Sequence, residues 1–338
     1  MLTNEQLNAM MTEPSAALIE DMKKIEGDIM ILGAGGKMGP TLCELAAKAV
    51  KATGVDKKIY AVSRFSSEET CRYLRDCGVT VIKADLLDME ALSKLPDVEN
   101  IIYMPGKKFG TDGNEWETWA MNSTLPAFVA NKYKNSRIVV FSSANIYPIS
   151  PVNRCGCTEQ DPVVPMGEYP MSCLARERAF EYVANRYGTK VFIYRLCFAV
   201  ALNYGVLCDI GMNIMEGKPI QLGNACFNYI WQGSANEYAL RAILLADSPV
   251  VKMNISGPEM VSVKYVAEKL GEALGIEPVF EGEPQNDAYL VNTMECVKAF
   301  GYPAISAGEL IDMQGEWLKN GGKTLGKPTH FEARNGKY

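Results

Sequence analysis

The chain has 338 residues, 48% of them hydrophobic and 22% charged, a composition that excludes disorder, collagen and coiled coil as descriptions of the whole molecule. Its 34 Lys and Arg against 40 Asp and Glu give a net charge of −6, so neither nucleic acid nor an anionic membrane is an expected partner. The sequence has no run of about 18 uncharged apolar residues and no basic-then-apolar start, which favours a cytoplasmic protein.

The first predicted elements are helices at residues 4 to 26, part of an N-terminal extension (1–27) that we expect to pack on the first domain. Short apolar runs then alternate with amphipathic stretches. The predicted strands are 29–32, 59–62, 79–82, 101–104, 138–141 and 191–194, and the predicted helices lie at about 40–52, 67–77, 88–95, 115–134 and 169–187. Because parallel neighbouring strands need long connections, this order predicts an α/β fold with a doubly wound parallel sheet of the Rossmann type.

The alternation ends with the sixth predicted strand, after which breaks rich in glycine and proline divide the chain into shorter pieces. We therefore predict a dinucleotide-binding domain at 28–196, with about 234–257 returning to it, and a smaller mixed C-terminal substrate lobe. The lobe comprises 197–233 and 258–320. Residues 321–338 form either a polar tail or an arm that folds over a neighbouring subunit or the active site.

A glycine-rich loop joins the first predicted strand directly to the helix that follows it. Glycines permit a tight turn and a close approach of the backbone to a pyrophosphate, and the helix N-terminus stabilises the anion. The loop therefore predicts a dinucleotide site, whose contact residues would be Gly33, Gly35, Gly36, Lys37, Met38 and Gly39.

The end of the second predicted strand indicates the type of dinucleotide. It reads Ala61-Val62-Ser63-Arg64 and lacks the carboxylate that would bind the adenosine ribose of NAD. Ser63 and Arg64 suit a 2′-phosphate instead, because a guanidinium offers paired donors to phosphate oxygens, and Lys37 can add charge to the same pocket. NADP is therefore favoured. NAD is the alternative, with Arg64 then an exposed residue at a helix start.

Several motifs resemble the extended short-chain dehydrogenase/reductase family, which includes NAD-dependent epimerases and dehydratases. The glycine loop resembles the family's G-x-x-G-x-x-G, and Asp85-Leu86 after the third predicted strand resembles its adenine-contacting acid. The segment Phe141 to Tyr147 resembles the part of the family's fifth strand that carries the catalytic serine. Pro165 to Tyr169 resembles the approach to the catalytic tyrosine. The likeness runs from about residue 28 to about residue 320.

The resemblance implies roles for particular residues. Tyr169 would be the acid/base, and Ser143, 26 residues earlier, would hydrogen-bond the same substrate oxygen. Asp85 and Leu86 would contact the cofactor's adenine. The family has a lysine four residues after the tyrosine, which lowers the tyrosine's pKa and holds the nicotinamide ribose. Here that position, beside the cofactor, is Cys173, which lacks the charge.

The exchange of this lysine for Cys173 affects the two reaction directions unequally. An unperturbed tyrosine has a pKa of about 10, so Tyr169 would be a weak base. A neutral phenol is still the correct acid for a carbonyl oxygen, which favours reduction over oxidation. Lys107 and Lys108 follow the fourth predicted strand, where ligands bind in open α/β folds. They either supply the missing charge, to Tyr169 or to an anionic substrate, or are solvated loop residues.

Other candidates rest on weaker patterns. We interpret Arg176, on the predicted helix of Tyr169, as part of a solvated or interfacial face. Tyr147 either touches the substrate or packs in the interior. Polar side chains of the lobe suit a hydroxyl-rich ligand, and these are Asn203, Tyr204, Asn224, Asn228, Tyr229 and Gln232.

Metal sites and mechanisms that need histidine are not expected. Cys155 and Cys157 form a close pair, but their spacing fits no common zinc motif. The single histidine, His330, lies in the tail, and the ten cysteines are expected to be reduced.

Together these features predict an NADP-dependent oxidoreductase of the extended short-chain type, acting on a carbohydrate-like or small hydroxy or oxo substrate. The alternatives are a sugar epimerase or dehydratase that retains its NAD(P), and a catalytically impaired nucleotide-binding protein, which Cys173 motivates. The resemblance also implies a homodimer, formed through the predicted helices at about 115–134 and 169–187.

Overall fold

The computed structural model describes residues 2–336. Its strands are β1 (Ile29–Leu32), β2 (Ile59–Ser63), β3 (Thr80–Lys83), β4 (Asn100–Tyr103), β5 (Arg137–Ser143), β6 (Ser150–Pro151), β7 (Val191–Leu196), β8 (Ala199–Val200), β9 (Ile220–Gln221), β10 (Cys226–Phe227), β11 (Ile230–Trp231), β12 (Val251–Ile255), β13 (Val261–Ser262), β14 (Phe280–Glu281) and β15 (Asp287–Ala288). The α-helices are α1 (Asn4–Thr12), α2 (Ala16–Lys24), α3 (Gly39–Thr53), α4 (Glu68–Asp76), α5 (Met89–Ser93), α6 (Glu115–Trp119), α7 (Leu125–Lys132), α8 (Glu168–Tyr187), α9 (Val206–Met215), α10 (Gln232–Arg241), α11 (Val263–Leu274), α12 (Met294–Phe300) and α13 (Ala307–Lys319). A π-helical turn (Ala120–Thr124) joins α6 to α7.

Seven strands form a single parallel sheet in the order β12-β7-β5-β4-β1-β2-β3. The six predicted strands all belong to it, and the prediction of a doubly wound α/β sheet is confirmed. The seventh strand, β12, comes from the segment predicted to return to the sheet, and it pairs with β7.

Helices cover both faces of this sheet, which explains why its central strands are continuously apolar. All four residues of β1 are buried, as are all four of β4. One face packs on α3 and α10 in a core that includes Ile31 and Leu42. The other face packs on α7 and α8 in a core that includes Met30 and Phe180. The sheet is therefore held rigidly, and its carboxyl-terminal edge is left for the site.

The smaller lobe has its own core and only short strands. Helices α9, α11 and α13 pack around Val206, Leu270 and Trp317. The paired strands, such as β10 with β13, are two residues long. The mixed character predicted for this region is therefore observed, while its separation into an independent domain remains a prediction.

The N-terminal extension contacts both of these cores. Leu18 and Met22 of α2 are fully buried in the core beside α3 and α10, as the sequence analysis expects. Leu7 and Met11 of α1 enter the core of the lobe instead. Ser15 caps α2 by accepting the Leu18 N–H. The extension therefore links the sheet to the lobe.

The segment after α13 folds back across the same chain. Its Leu325 N–H donates to the Asn203 carbonyl at 2.9 Å. Phe331 is buried, with its ring centroid 6.2 Å from that of Phe227. Of the two forms that the sequence left open, the described part of the tail is an arm attached to its own subunit.

Candidate active site

The carboxyl ends of β1 and β4 border a crevice where the order of the strands reverses. The chain runs from β1 to β2 and β3 on one side, whereas β4 pairs with β1 on the other side. Ligands of doubly wound sheets bind at such a switch point. The glycine loop leaves β1 here, and residues 104–106 after β4 form the opposite side of the crevice.

The glycine loop requires its glycines for both conformation and packing. Gly33 has a φ of +81°, and a Cβ at this position would lie 2.8 Å from the backbone nitrogen of Pro105. A Cβ on Gly39 would overlap the Ala34 backbone. Because α3 begins at Gly39, the N–H groups of its first turn lie beside the crevice and can stabilise an anion. This cradle fits the pyrophosphate of a dinucleotide.

On one side of the loop lies a cavity of about 400 Å³, here called the Arg64 cavity. Ser63 and Arg64 reach it from the end of β2, and Asp85 and Leu86 reach it from the segment after β3. Gly35 of the loop forms another part of the wall. Residues that the sequence analysis assigned from three separate segments therefore surround one cavity, and the exposed Arg64 side chain stands at its edge.

Lys37 does not line the Arg64 cavity, which corrects the prediction that it shares a pocket with Arg64. Its ammonium lies 3.7 Å from the centroid of the Tyr204 ring and donates to the Ala199 carbonyl at 3.4 Å. The Tyr204 ring attracts the cation across the crevice toward the lobe. Lys37 therefore places its amine on the other side of the glycine loop, where burial lowers its pKa to about 7.

On that side lies a cavity of about 360 Å³, here called the Tyr169 cavity. Its wall combines the glycine loop, including Lys37 and Met38, with the end of β5, the start of α8, the lobe and the tail. The two cavities share Gly33 and Gly36, as well as residues after β4. They are therefore two parts of one groove that crosses the glycine loop.

Tyr169 and Ser143 lie together on the wall of the Tyr169 cavity. Ser143 ends β5, and Tyr169 is the second residue of α8, which follows Gly167 with its φ of +89°. Burial raises the pKa of the Tyr169 phenol well above its ordinary value of 10, although a side-chain hydrogen bond with Ser143 acts in the opposite direction. The phenol is therefore protonated at neutral pH.

Asn145, which the sequence analysis did not single out, holds Ser143 in place. The Ser143 hydroxyl donates to Asn145 Oδ1 at 2.9 Å, and the Asn145 N–H donates to Ser143 Oγ at 3.2 Å. Ser143 also shares a side-chain hydrogen bond with Tyr169, which partly opposes the rise in the pKa of the phenol that burial causes. The Ser-x-Asn turn directly after a strand is the local signal that could have identified Asn145.

Cys173 lies one helical turn after Tyr169 and is fully buried. Its side chain hydrogen-bonds Tyr169, and burial raises the pKa of the thiol, which is therefore uncharged at neutral pH. Cys173 belongs to the wall of neither cavity. The prediction that it contacts the cofactor is corrected, because α8 turns this position into the interior, where it packs near Ala144 and Cys197.

Lys108 brings positive charge to the region where the family lysine is missing. Its side chain lines the Tyr169 cavity, and its ammonium lies 5.9 Å from the centroid of the Tyr169 ring. Burial lowers the pKa of Lys108 to about 8, so the amine is still mainly protonated at pH 7. Lys107 instead forms an ion pair with Glu117. Of the two adjacent lysines, Lys108 is the one at the site.

Arg176 is buried below the site, which corrects its interpretation as a solvated or interfacial residue. It is 4% exposed and donates to the Phe141 carbonyl at 2.7 Å and to Asn122 Oδ1 at 2.8 Å. Its charge partly opposes the effect of burial on the pKa of Tyr169. Tyr169, Cys173 and Arg176 are spaced as i, i+4 and i+7 on one helix face, and this spacing could have identified Arg176.

Other candidate ligand contacts serve the fold. Tyr147 is 2% exposed and its hydroxyl donates to Asn254 Oδ1 at 2.9 Å, so it packs in the interior. Four of the lobe side chains that were expected to face a substrate are buried and bonded within the protein, namely Asn224, Asn228, Tyr229 and Gln232. Their assignment to substrate is corrected. Tyr204 lines the Tyr169 cavity.

Residues 2–336 contain neither a metal-binding cluster nor a membrane-spanning helix. No group of three or more His, Cys, Asp or Glu side chains is arranged there to hold a metal ion. None of the helices described is both long and apolar enough to cross a membrane.

The sequence was compared with protein-family models and with curated proteins. Residues 29–223 match the model of the NAD dependent epimerase/dehydratase family. This match covers more than half of the chain and includes the glycine loop, Ser143 and Tyr169. No curated protein matches the sequence.

Solved structures of low sequence identity share the fold. A UDP-galactose 4-epimerase is 18% identical with a TM-score of 0.67, covering 87% of this chain and 99% of that one. The UDP-glucuronic acid 4-epimerase of Bacillus cereus, in complex with NAD, is 14% identical with a TM-score of 0.70, covering 88% and 100%. The UDP-glucose 4-epimerase of Thermus thermophilus, also with NAD, is 15% identical with a TM-score of 0.69, covering 86% and 98%.

Proposed function

The chain belongs to the NAD-dependent epimerase/dehydratase family of enzymes, and from this premise we propose that it is a nicotinamide-dependent oxidoreductase with Tyr169 as its acid/base. The observation that carries this proposal is that Tyr169 and Ser143 share the wall of a cavity with the glycine loop. When bound, the nicotinamide supplies or accepts a hydride. The protein must then manage one proton at the oxygen of a carbohydrate-like or small hydroxy or oxo substrate.

Tyr169 is suited to donate that proton. Burial raises the pKa of its phenol, so Tyr169 is in the acid form at neutral pH. As the new C–H bond forms at a carbonyl carbon, the phenol protonates the carbonyl oxygen. The opposite role needs a phenolate, which burial disfavours. Reduction of an oxo substrate is therefore the favoured direction near neutral pH.

Ser143 and Lys108 support Tyr169 in different ways. Asn145 holds Ser143 in place beside the phenol, and Ser143 hydrogen-bonds the substrate oxygen when its hydroxyl hydrogen turns from Asn145 Oδ1 into the cavity. The Lys108 ammonium stabilises the negative charge that Tyr169 acquires when it gives up its proton. Lys108 thereby supplies the positive charge that Cys173, at the position of the family's lysine, lacks. This arrangement argues against the alternative of an impaired nucleotide-binding protein.

We propose NADP as the cofactor, with its 2′-phosphate beside Arg64 and Ser63, and NAD as the alternative. Titration calorimetry of the full chain with NADPH and with NADH tests this assignment. We expect NADPH to bind more tightly, and Arg64→Ala to weaken NADPH binding about ten-fold or more while leaving NADH unchanged, because hydrogen bonds to a charged phosphate are lost. Binding of neither nucleotide would contradict the proposed function. Equal weakening of both would contradict only the role of Arg64.

A sugar epimerase or dehydratase with retained cofactor is a second candidate, favoured by the family match. Such an enzyme returns the hydride to its substrate, so it consumes no NADPH overall and tends to keep its cofactor. The two candidates are separated by the nucleotide content of the purified protein and by NADPH consumption with a panel of small oxo compounds. Stoichiometric retention without net consumption would favour the epimerase.

We also propose the homodimer that the family resemblance implies, with α7 and α8 in its interface. Trp116 near this surface is 73% exposed and Tyr182 on α8 is 61% exposed. Sedimentation velocity of the full chain measures the mass directly. A monomer at micromolar concentration would contradict the proposal.

A further inference from the structure

The C-terminal segment 324–336 contributes Thr329 to the wall of the Tyr169 cavity and is hydrogen-bonded to the rest of the chain at several points. Thr329 donates its N–H and its hydroxyl to the Asp209 carboxylate of α9, at 2.7 and 2.5 Å. The Phe331 carbonyl accepts the Asn224 amide at 2.8 Å. Arg334 donates to the Gly223 carbonyl at 2.8 Å and to Asn224 Oδ1 at 2.9 Å. The segment is therefore a built part of the structure.

The far end of this segment reaches the start of the catalytic helix. Gly336 packs so closely on Met166 and Gly167 that a Cβ on Gly336 would overlap the Met166 carbonyl. Gly167 directly precedes α8, two residues before Tyr169. On the other side of the crevice, the His330 ring lies 5.9 Å from the Phe109 ring, measured between centroids. The segment thus extends from the lobe to the residues that follow β4 and to the start of α8.

The segment divides two cavities from each other. Thr329 lines the Tyr169 cavity. The next residues, His330 and Phe331, line a different cavity of about 400 Å³, which lies beside α9 and is separate from the Arg64 cavity. Tyr204 borders both cavities. The segment therefore stands between the Tyr169 cavity and the space along α9. The tail therefore determines the length of the site.

The remaining volume is small for what it must hold. Ligand cavities range over about 300 to 1,000 Å³, and the Tyr169 cavity, at about 360 Å³, lies near the lower limit. On the proposed function, it must accept a nicotinamide ring as well as the substrate. A sugar linked to a nucleoside diphosphate would need the room beyond the segment.

The charge of the cavity indicates the class of small substrate. Among the described residues that line it, Lys37 and Lys108 are the ones that can carry charge near neutral pH. Burial lowers the pKa of Lys37 to about 7 and that of Lys108 to about 8, so at pH 7 Lys37 is about half charged and Lys108 is mainly charged. Positive charge on the wall favours a ligand with an anionic group, such as a carboxylate. A nucleotide is also anionic, so charge alone would not exclude it, and the discrimination rests on size.

From these observations we propose that residues 324–336 are a fixed wall of the substrate site, which restricts it to small anionic hydroxy or oxo compounds and excludes nucleotide-linked sugars. The proposal rests on the proposed function for the placement of the substrate at Tyr169. It names a substrate class that differs from the UDP-linked sugars in the names of the structural neighbours.

The experiment measures binding of UDP-glucuronic acid by calorimetry, in the presence and absence of NADP⁺, to the wild-type chain and to three variants. The first variant lacks residues 324–338. The second, Phe331→Ala with Arg334→Ala, loses two attachments of the segment but keeps the backbone, in case the deletion does not fold. The control is Lys323→Ala, which changes an exposed residue just before the segment. Circular dichroism checks the fold of each protein.

We expect no measurable binding of UDP-glucuronic acid to the wild type and to Lys323→Ala. We expect a gain of at least ten-fold in affinity for the deletion, or for the double variant if the deletion does not fold. Equal affinity of the wild type and the variants, including the case in which none binds, would overturn the proposal. If the wild type does not bind NADP⁺, the proposed function is wrong. This outcome is distinct from the one that overturns the role of the segment.

Discussion

The environment of one phenol decides what the active site can do. Burial raises the pKa of Tyr169, and the thiol of Cys173 at the family's lysine position adds no positive charge. Lys108 and the buried Arg176 bring that charge from other parts of the chain. Tyr169 is therefore protonated in the site, and nearby cations can stabilise the phenolate that forms when it gives up its proton.

Removal of the Tyr169 hydroxyl tests its role directly. We expect Tyr169→Phe to lower kcat about 100-fold to 10,000-fold, because general acid catalysis contributes about that much. Affinity for NADPH should be unchanged. Tyr182→Phe, an exposed tyrosine on the same helix, is the matched control. Steady-state assays with both variants measure the difference, and a Tyr169→Phe enzyme that keeps wild-type kcat would exclude the proposed role.

On the proposed function, Lys108 should give the reaction a characteristic pH dependence. Burial lowers its pKa to about 8, so the ammonium is present below that pH and is lost as the pH rises above it. We therefore expect kcat/KM of the wild type for reduction to fall above about pH 8. Lys108→Met should lower kcat/KM about ten-fold at pH 7, which corresponds to about 1.4 kcal/mol. The variant should also lack the decrease above pH 8.

The adjacent Lys107 provides the control for this experiment, because its ammonium pairs with Glu117. Lys107→Met should keep both the rate and the pH profile of the wild type. If the profiles of Lys108→Met and the wild type coincide, the charge at residue 108 has no part in the reaction.

Individual site residues differ in how well the sequence identifies them. Ser63 ends β2, Arg64 follows it directly, and Asp85 lies two residues after β3. The carboxyl ends of parallel strands must meet at one edge of a sheet, so the sequence places these residues together. The direction of the Lys37 side chain depends on the distant Tyr204 ring. Cys173 turns away from the cavities because of the way α8 packs. Such tertiary contacts leave no local signal.

At the scale of elements, the π-helical turn between α6 and α7 places Asn122 in the interior. Asn122 is fully buried, accepts the Lys107 N–H at 2.8 Å and donates to Ser172 Oγ at 3.0 Å. It also accepts from Arg176. One amide thereby joins the segment after β4 to α8, the helix that carries Tyr169.

Asn122→Leu should destabilise the protein by about 2 to 4 kcal/mol, because several buried polar groups lose their partner. Urea unfolding followed by circular dichroism measures the free energy of unfolding. Asn185→Ala changes an exposed asparagine on α8 and should stay within about 0.5 kcal/mol of the wild type. A loss for Asn122→Leu no larger than for this control would show that the junction is not needed for stability.

The same elements show where sequence patterns suffice. Each of the six short apolar runs interpreted as strands lies in the sheet, because burial on both faces needs a continuous apolar segment. The π-helical turn was not anticipated, since the sequence of 115–134 fits an uninterrupted helix equally well. The two-residue strands of the lobe are too short to produce any periodicity.

At the scale of the whole molecule, the N-terminal extension joins the sheet to the lobe. Leu18→Ala should lower the free energy of unfolding by about 2 to 5 kcal/mol, because it leaves a cavity in the core beside α3. Met10→Ala, on the exposed face of α1, is the control and should have little effect. Thermal and urea unfolding of both variants measure the difference. If Leu18→Ala and Met10→Ala have the same free energy of unfolding, the packing of α2 in the core does not contribute to stability.

The fold of the molecule was more predictable from the sequence than the path of the C-terminal segment after α13. Alternation of apolar and amphipathic segments predicts the doubly wound sheet, since topology rules leave few arrangements for it. The segment after α13 is polar and rich in glycine, so its sequence is compatible with an unattached tail. Its attachment depends on Asp209, Asn224 and Asp287, which lie in three distant parts of the chain.

The contact of Gly336 with Met166 and Gly167 has a practical consequence for the preparation of the protein. Any side chain introduced at Gly336 would collide with the Met166 carbonyl, next to the residue that precedes α8, and would displace the start of the helix that carries Tyr169. Activity measurements are therefore best made with protein in which Gly336 is unchanged.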